Sequence, residues 1–260
     1  NNSWFDSGLS FILMSLYLAF DSVNLKQKAI NLSTKLNLRL VDLDKDNSTN
    51  LCEDDYFLVC SASRIFLQKG LKKNTKPIYS DFDTWINKYD DLLLRRALRG
   101  LTKNFSCLDL TAGFGKDAFE IAKSKSCQSL ILVEKEKWVY ELLLDGLTNA
   151  TDFKSKILID KFQVFNSDNF EYLRACKDFD LIYIDPMFAG VDKSKAKKHM
   201  QALRDLSNAK SKDNLLEESL KKATQKVIVK RHRNMEFLES IQPSHSVEGK
   251  VVRYDVYSVK

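Results

Sequence analysis

Two short stretches of this chain combine residue types suited to chemistry. The first, Asp109-Leu-Thr-Ala-Gly-Phe-Gly-Lys-Asp-Ala118, follows an apolar run and carries glycines at 113 and 115. Gly113 and Gly115 let the backbone turn tightly and approach a ligand, and Ala118 is small enough for a following helix to pack closely on the sheet. The second, Leu181-Ile-Tyr-Ile-Asp-Pro-Met-Phe188, ends four apolar residues in a carboxylate, a proline and an aromatic ring. An exocyclic amine conjugated into a base is a poor nucleophile, and acceptors on its N–H bonds hold its lone pair toward an electrophile. The Asp185 carboxylate and the Pro186 carbonyl are such acceptors, with proline fixing the backbone that aims the carbonyl. Phe188 offers a flat face to an unstacked base, a contact worth roughly 1–3 kcal/mol on single-strand binding platforms.

The glycine loop alone does not choose a cofactor, because it fits the dinucleotide fingerprint G-x-G-x-x-G/A as well as a methyl-donor loop. Glu134, at the end of the next apolar run, suits the ribose of either. Asp109 separates the two: a carboxylate at the lip of the loop repels a pyrophosphate and attracts the ammonium of a methionine moiety. S-adenosylmethionine is therefore the expected cofactor. Asp185-Pro-Met-Phe188 resembles the motif of amine-directed methyltransferases, and it stands at a strand carboxyl end, where open α/β sheets bind their ligands. Asp168, in Asn166-Ser-Asp-Asn169, falls where an acid or amide binds an adenine amine. Beyond the second stretch Lys193, Lys195, Lys197 and Lys198 form a basic run, and Lys230-Arg-His-Arg233 ends another strand on the same rim. Together with Lys230 and Arg231 these lysines read as a collar that grips phosphates. His199, His232 and His245 lack the spacing of metal ligands, so no metal is expected.

The elements that must position these residues alternate from Ser106 onward, strand then helix, as a mostly parallel sheet flanked by helices requires. Strands are expected at Ser106–Leu110, Ser129–Glu134, Phe162–Asn166, Leu181–Asp185 and Lys226–Lys230. Two more, near Ser246–Val251 and Tyr254–Val259, are too close for a crossover helix and must pair as an antiparallel hairpin. An α/β Rossmann-like sheet of the class I methyltransferase kind, ending in such a hairpin, follows. Residues 81–260 form that methyltransferase domain, introduced by one amphipathic helix over Asp83–Leu101. Residues 1–80 form a small N-terminal α+β unit, with a polar helix after Leu25, strands at Leu38–Leu43, Tyr56–Cys60 and Arg64–Gln68, and a linker at Lys72–Pro77.

The formal charge of +6 leans toward an anionic partner, and 44% hydrophobic with 29% charged residues excludes a disordered or fibrous chain. Five cysteines without a C-x-x-C pair suggest neither a zinc site nor a disulfide framework; they read as the reduced thiols of a cytoplasmic protein. The apolar stretch Leu9–Phe20 is too short to span a membrane and reads as a buried helix. The chain opens on Asn1 rather than Met, as it would if its native start lay upstream.

In sum these residues resemble the RsmJ-type enzymes, which methylate a guanine N2 in bacterial small-subunit ribosomal RNA. The likeness rests on the Asp109–Phe119 loop, the Leu144-Asp-Gly-Leu147 segment, Leu181–Phe188, the lysine-rich run through Met200, Ala223–Arg231 and Arg253-Tyr-Asp-Val-Tyr257. It implies cofactor contact by Lys116 and Asp117, Glu134 and Lys135, Asp168 and Asn169, and Asp185, and ribosomal RNA or the small subunit as partner. Two departures stand out. Tyr89-Asp-Asp-Leu-Leu-Leu-Arg-Arg-Ala97 replaces a glycine-rich basic stretch, and His232 replaces a proline. An amine methyltransferase acting on adenine or a protein side chain, a nicotinamide enzyme, and a non-catalytic RNA- or nucleotide-binding module are the other readings these residues admit.

Overall fold

Residues 15–42, 53–70, 75–186, 202, 206 and 214–259 are described by the structure, a computed structural model. The smaller of its two sheets comes first. It contains β1 (Leu16–Phe20), β2 (Leu40–Asp42), β3 (Tyr56–Cys60) and β4 (Ile65–Lys69), in the order β2-β1-β3-β4, and only β4 runs antiparallel to its neighbour. α1 (Lys26–Leu36) connects the parallel β1 and β2 and is closed by Asn37 in a left-handed conformation, φ 54°. The expected buried helix over Leu9–Phe20 is corrected here: Leu16–Phe20 is a central strand, and residues 9–14 lie outside the described residues. A five-residue apolar run covered on both faces carries no period that tells strand from helix. Leu18 and Phe20 pack to one side of the small sheet and Ala19 to the other.

α2 (Phe82–Lys88) and α3 (Leu92–Ala97) replace the single helix expected over residues 83–101. The chain is extended at Tyr89 (φ −118°, ψ 126°), and Asp91 then caps α3 by accepting the Leu94 N–H at 2.9 Å. Capping by a short acidic side chain satisfies an N–H group at the start of the second helix.

The larger sheet comprises β5 (Phe105–Asp109), β6 (Cys127–Glu134), β7 (Phe162–Asn166), β8 (Phe179–Ile184), β9 (Ala223–His232), β10 (His245–Glu248) and β11 (Val252–Ser258). Their order is β10-β11-β9-β8-β5-β6-β7; β5 to β9 are parallel, and β11 pairs antiparallel with both β9 and β10. The final hairpin is thus present as expected. Between the strands run α4 (Lys116–Ala122), α5 (Lys137–Asn149), α6 (Phe153–Ile159), α7 (Asn169–Ala175) and α8 (Leu215–Lys222). Strand order reverses between β5 and β8, which opens the crevice where sheets of this kind receive ligands.

Both faces of this sheet are buried, as parallel strands require. Cys107, Leu181, Ile228 and Tyr254 meet Phe82, Leu94 and Phe119 on one face, while Leu108, Ile182 and Val229 meet Leu173 and Leu216 on the other. The small sheet leans on α5, where Trp138, Val139 and Leu142 join the cluster of Leu18, Phe20 and Leu58. Gly146 lets the chain cross α5 at close range: a Cβ there would lie 2.4 Å from Ser80 Cβ, while the Ser80 hydroxyl donates to the Phe114 carbonyl at 2.8 Å. Among the described residues no helix is long and apolar enough to cross a membrane.

Candidate active site

The carboxyl ends of β5, β6, β8 and β9 converge on one edge of the large sheet, and hydrogen bonds tie them together. Gly113 turns with φ 54°, and its N–H donates to Glu134 Oε2 at 2.8 Å. The other carboxylate oxygen of Glu134 accepts the Glu136 N–H at 2.8 Å, so the end of β6 braces the turn after β5. The two glycines serve different purposes. A Cβ at Gly115 (φ 81°) would lie 2.7 Å from Leu143 Cδ1 and 3.3 Å from Phe82 Cζ, so this position must be small for the layers to close. Among the described residues a Cβ at Gly113 would meet only the Thr111 carbonyl, at 3.8 Å, so they leave the space beside that turn open.

Thr111 joins β5 to β8. Its hydroxyl accepts the Asp185 N–H at 2.7 Å and donates to Asp109 Oδ1 at 3.3 Å, and the Thr111 N–H donates to the same oxygen at 2.9 Å. On the next strand over, Lys230 Nζ donates to Asp185 Oδ2 at 2.9 Å and to Asp117 Oδ2 at 2.5 Å. Asp117 Oδ2 also accepts the Tyr183 hydroxyl at 2.7 Å. The Tyr89 hydroxyl lies 3.4 Å from Asp117 Oδ1 and 3.3 Å from Asp91 Oδ2, and the latter accepts the Tyr254 hydroxyl at 2.8 Å. A continuous polar network therefore runs from the end of β8 through β9 and α4 to the break between α2 and α3.

The electrostatics of this edge are lopsided. Asp109, Asp117, Glu134 and Asp185 are gathered here, and Lys230 is bonded to only two of them. Burial pushes Asp109 up to about 8, with help from the charges of Asp117 and Asp185. Glu134 rises to about 7, again chiefly through burial. Burial and the Asp117 charge raise Asp185 as well, against the pull of Lys230. Asp117 alone moves down, because Lys230 and its hydrogen-bond donors outweigh the effect of burial. Asp185 Oδ1 is buried and has no hydrogen-bond partner among the described residues. Buried acceptors left unpaired and carboxylates held above their ordinary range are the signature of a place that receives donors and positive charge. S-adenosylmethionine fits such a set of acceptors. Asp109 suits its ammonium, Glu134 suits the hydroxyls of a ribose, and the open side of Gly113 leaves room for close approach.

Other expected contact residues carry interactions of their own. Lys116 Nζ stands 3.8 Å from the centre of the Tyr89 ring. Lys135 Nζ lies 3.5 Å from Asp168 Oδ2, while Asp168 Oδ1 caps α7 by accepting the N–H groups of Phe170 and Glu171 at 3.0 and 3.3 Å. Asn169 is the first residue of α7. Pro186 follows Asp185 at the lip of β8, whereas Phe188, Lys193, Lys195, Lys197 and Lys198 lie outside the described residues. The expected phosphate collar also drew on Lys230 and Arg231 of β9. Lys230 turns inward to Asp117 and Asp185, and Arg231 faces the opposite side of the sheet, where its Nε and Nη2 donate to the Glu236 carbonyl at 3.1 and 2.7 Å. Adjacent residues on a strand point to opposite faces, and these two side chains leave β9 on different sides. Thr111, Tyr89, Asp91, Tyr183 and Tyr254 were not singled out by sequence; the tyrosine in Arg253-Tyr-Asp-Val-Tyr257 and the Asp91 helix cap were the available signals.

The opposite edge of the sheet is unlike this one. A cavity of about 470 Å³ near the start of β5 is lined by Arg95, Arg99, Lys123 and Lys125, with Glu120 among them. Burial pushes the Cys60 thiol up to about 11 and Cys127 up to about 12, so neither is a thiolate at neutral pH.

Comparison with known proteins agrees with this geometry. Residues 42–259 match the model of the family described as SAM-dependent methyltransferase. A "Ribosomal RNA small subunit methyltransferase J" of Francisella tularensis subsp. novicida is 33% identical over 224 residues, covering 80% of this chain and 89% of the relative. The protein of the same name from Francisella philomiragia subsp. philomiragia is 37% identical over 171 residues, 63% of this chain and 70% of the relative. Among solved structures, a SAM-dependent methyltransferase from Neisseria gonorrhoeae superimposes with a TM-score of 0.61 at 22% identity, covering 92% of this chain and 95% of that one. That likeness bears on the fold.

Proposed function

We propose, from the premise that this chain belongs to the family of S-adenosylmethionine-dependent methyltransferases matched over residues 42–259, that it methylates the exocyclic N2 of a guanine in small-subunit ribosomal RNA. The names of the Francisella relatives support the RNA class, and the resemblance to RsmJ-type enzymes supports the guanine N2. The observation that carries the reading is the buried Oδ1 of Asp185, unpartnered among the described residues, at the switch point of the sheet and near the turn at Gly113.

Asp109, Gly113, Glu134 and the end of β7 hold the cofactor, which when bound supplies an electrophilic methyl group for direct displacement by the amine. Asp185 Oδ1 and the Pro186 carbonyl accept the N–H bonds of the guanine amine and orient its lone pair. Phe188 stacks the base, and Lys193, Lys195, Lys197 and Lys198 contact phosphates of the surrounding RNA. We divide the chain into a small unit, residues 1–80, and a methyltransferase domain, residues 81–260, and place the reaction in the cytoplasm.

Incubation with tritiated cofactor and small subunits lacking the modification tests this. Label is expected in N2-methylguanine after digestion of the RNA. Label in another base or in ribosomal protein would contradict the assignment of the acceptor.

A further inference from the structure

We propose that Lys230 is a positioning residue for Asp185: it binds one carboxylate oxygen of that aspartate from the neighbouring strand, and so leaves the other facing the acceptor amine. The inference rests on the reading above and replaces the phosphate contact that a Lys-Arg pair at a strand end suggests.

Geometry carries it. Lys230 lies on β9 beside β8, and its Nζ reaches Asp185 Oδ2 at 2.9 Å while Oδ1 remains buried and unpartnered among the described residues. The lysine is itself held from behind by Asp117 at 2.5 Å. Asp117 in turn is fixed by the Tyr183 hydroxyl at 2.7 Å and approached by Tyr89 at 3.4 Å. The Asp185 backbone has a separate anchor in the hydroxyl of Thr111. Asp185 is thus fixed at its backbone N–H and at Oδ2, and among the described residues Oδ1 is left spare. The side chain of Lys230 is 20% exposed. A lysine that grips a phosphate backbone presents its ammonium to water instead.

The chemical purpose follows from the crowding of acids. Without a cation beside it, a buried carboxylate flanked by Asp109 and Asp117 takes up a proton, and a protonated Asp185 loses the negative charge that holds an amine's N–H bonds. Lys230 opposes that proton uptake and holds Oδ2 in place. Among the described residues the titratable groups of this network are Asp109 of β5, Asp117 of α4, Asp185 at the end of β8, Tyr89 and Asp91 at the α2–α3 break, Tyr183 of β8 and Tyr254 of β11.

Lys230→Met, assayed with cofactor and unmodified small subunits, separates the two roles. A positioning lysine predicts a kcat about 100-fold lower, a KM for RNA within about threefold of wild type, and an acidic limb of the kcat–pH profile moved to higher pH. An unchanged kcat with a raised KM and a salt dependence shallower by about one counterion overturns the proposal in favour of a phosphate contact. Should the variant fail to fold, lysine acetylation of the wild-type protein, read residue by residue by mass spectrometry, still decides. Slow acetylation of Lys230 with and without RNA supports the buried pair, and fast acetylation that RNA suppresses overturns it. Absence of methyl transfer by the wild-type protein would remove the functional reading and this inference together; an active wild type with an equally active Lys230→Met removes the inference alone.

Discussion

β8 carries an aspartate near its start and another just past its end, and the two are opposites. Asp180 accepts the Ser106 N–H and hydroxyl on one oxygen, at 2.8 and 2.9 Å, and the Thr224 hydroxyl and Gln225 amide on the other, both at 2.9 Å. Those donors outweigh its burial and hold its carboxyl below the ordinary carboxylate range. Asp185 has Lys230 on one oxygen and nothing among the described residues on the other, and burial raises it. A carboxylate whose acceptors are all met fastens strands together; one left half-met at a sheet's switch point is kept for a ligand.

That contrast breaks most visibly by substitution. Asp185→Asn should lower kcat about 10²–10³-fold while the melting temperature stays close to that of the wild type. Asp180→Ala should leave kcat unchanged and reduce stability by about 1–3 kcal/mol, measured by urea denaturation. An active Asp185→Asn, or an inactive but stable Asp180→Ala, would erase the distinction between the two ends.

A second pair of predictions concerns the backbone under the site. Gly115→Ala combines a left-handed φ with a Cβ 2.7 Å from Leu143 Cδ1 and should destabilise by about 1–3 kcal/mol. Gly113→Ala, with only the Thr111 carbonyl among the described residues within reach of the new atom, at 3.8 Å, should cost about 1–2 kcal/mol for its φ alone. Its greater effect should be on cofactor affinity, because the methyl enters the open side of the turn. Calorimetric titration with S-adenosylhomocysteine alongside thermal melts separates the two.

The smallest effect is the dependence on pH. Asp109 and Glu134 have native values of about 8 and 7, against roughly 4 in an unfolded chain. Between those limits the native state binds more protons than the unfolded one, so these two groups lower stability as pH rises from about 4 to 8. Asp180 has the reverse sign: its depressed value gives stability that is present above about pH 4 and lost as pH falls below. Binding of the cationic cofactor should release protons and tighten toward pH 8, by at most about tenfold per pH unit for each proton released. Calorimetry in buffers of different ionisation enthalpy measures that release; proton uptake instead would contradict the assignment of Asp109 and Glu134.

Much of the carboxylate-rich edge was legible in the sequence, and the rest was hidden for identifiable reasons. Asp185, Gly113 and Glu134 could be placed because each ends or follows an apolar run of strand length, and the order of parallel strands then brings those ends together. The inward turn of Lys230 was not readable, since a slip of one residue in the β9 register exchanges it with Arg231. The bond from Tyr254 to Asp91 spans the chain and has no local signature. The interruption at Tyr89 could have been read from Asp91 as a helix cap; the apolar spacing around it concealed the break. Leu16–Phe20 is the case in which composition admitted two answers, and pairing by β2 and β3 decided for a strand.

A crystal structure of the protein with S-adenosylhomocysteine tests the central claim most directly. The product is expected over Gly113, with its amino acid end at Asp109, its ribose at Glu134, and Asp185 Oδ1 facing the site its lost methyl would occupy. Product bound anywhere else, above all in the cation-lined cavity beside Arg99 and Lys125, would contradict it.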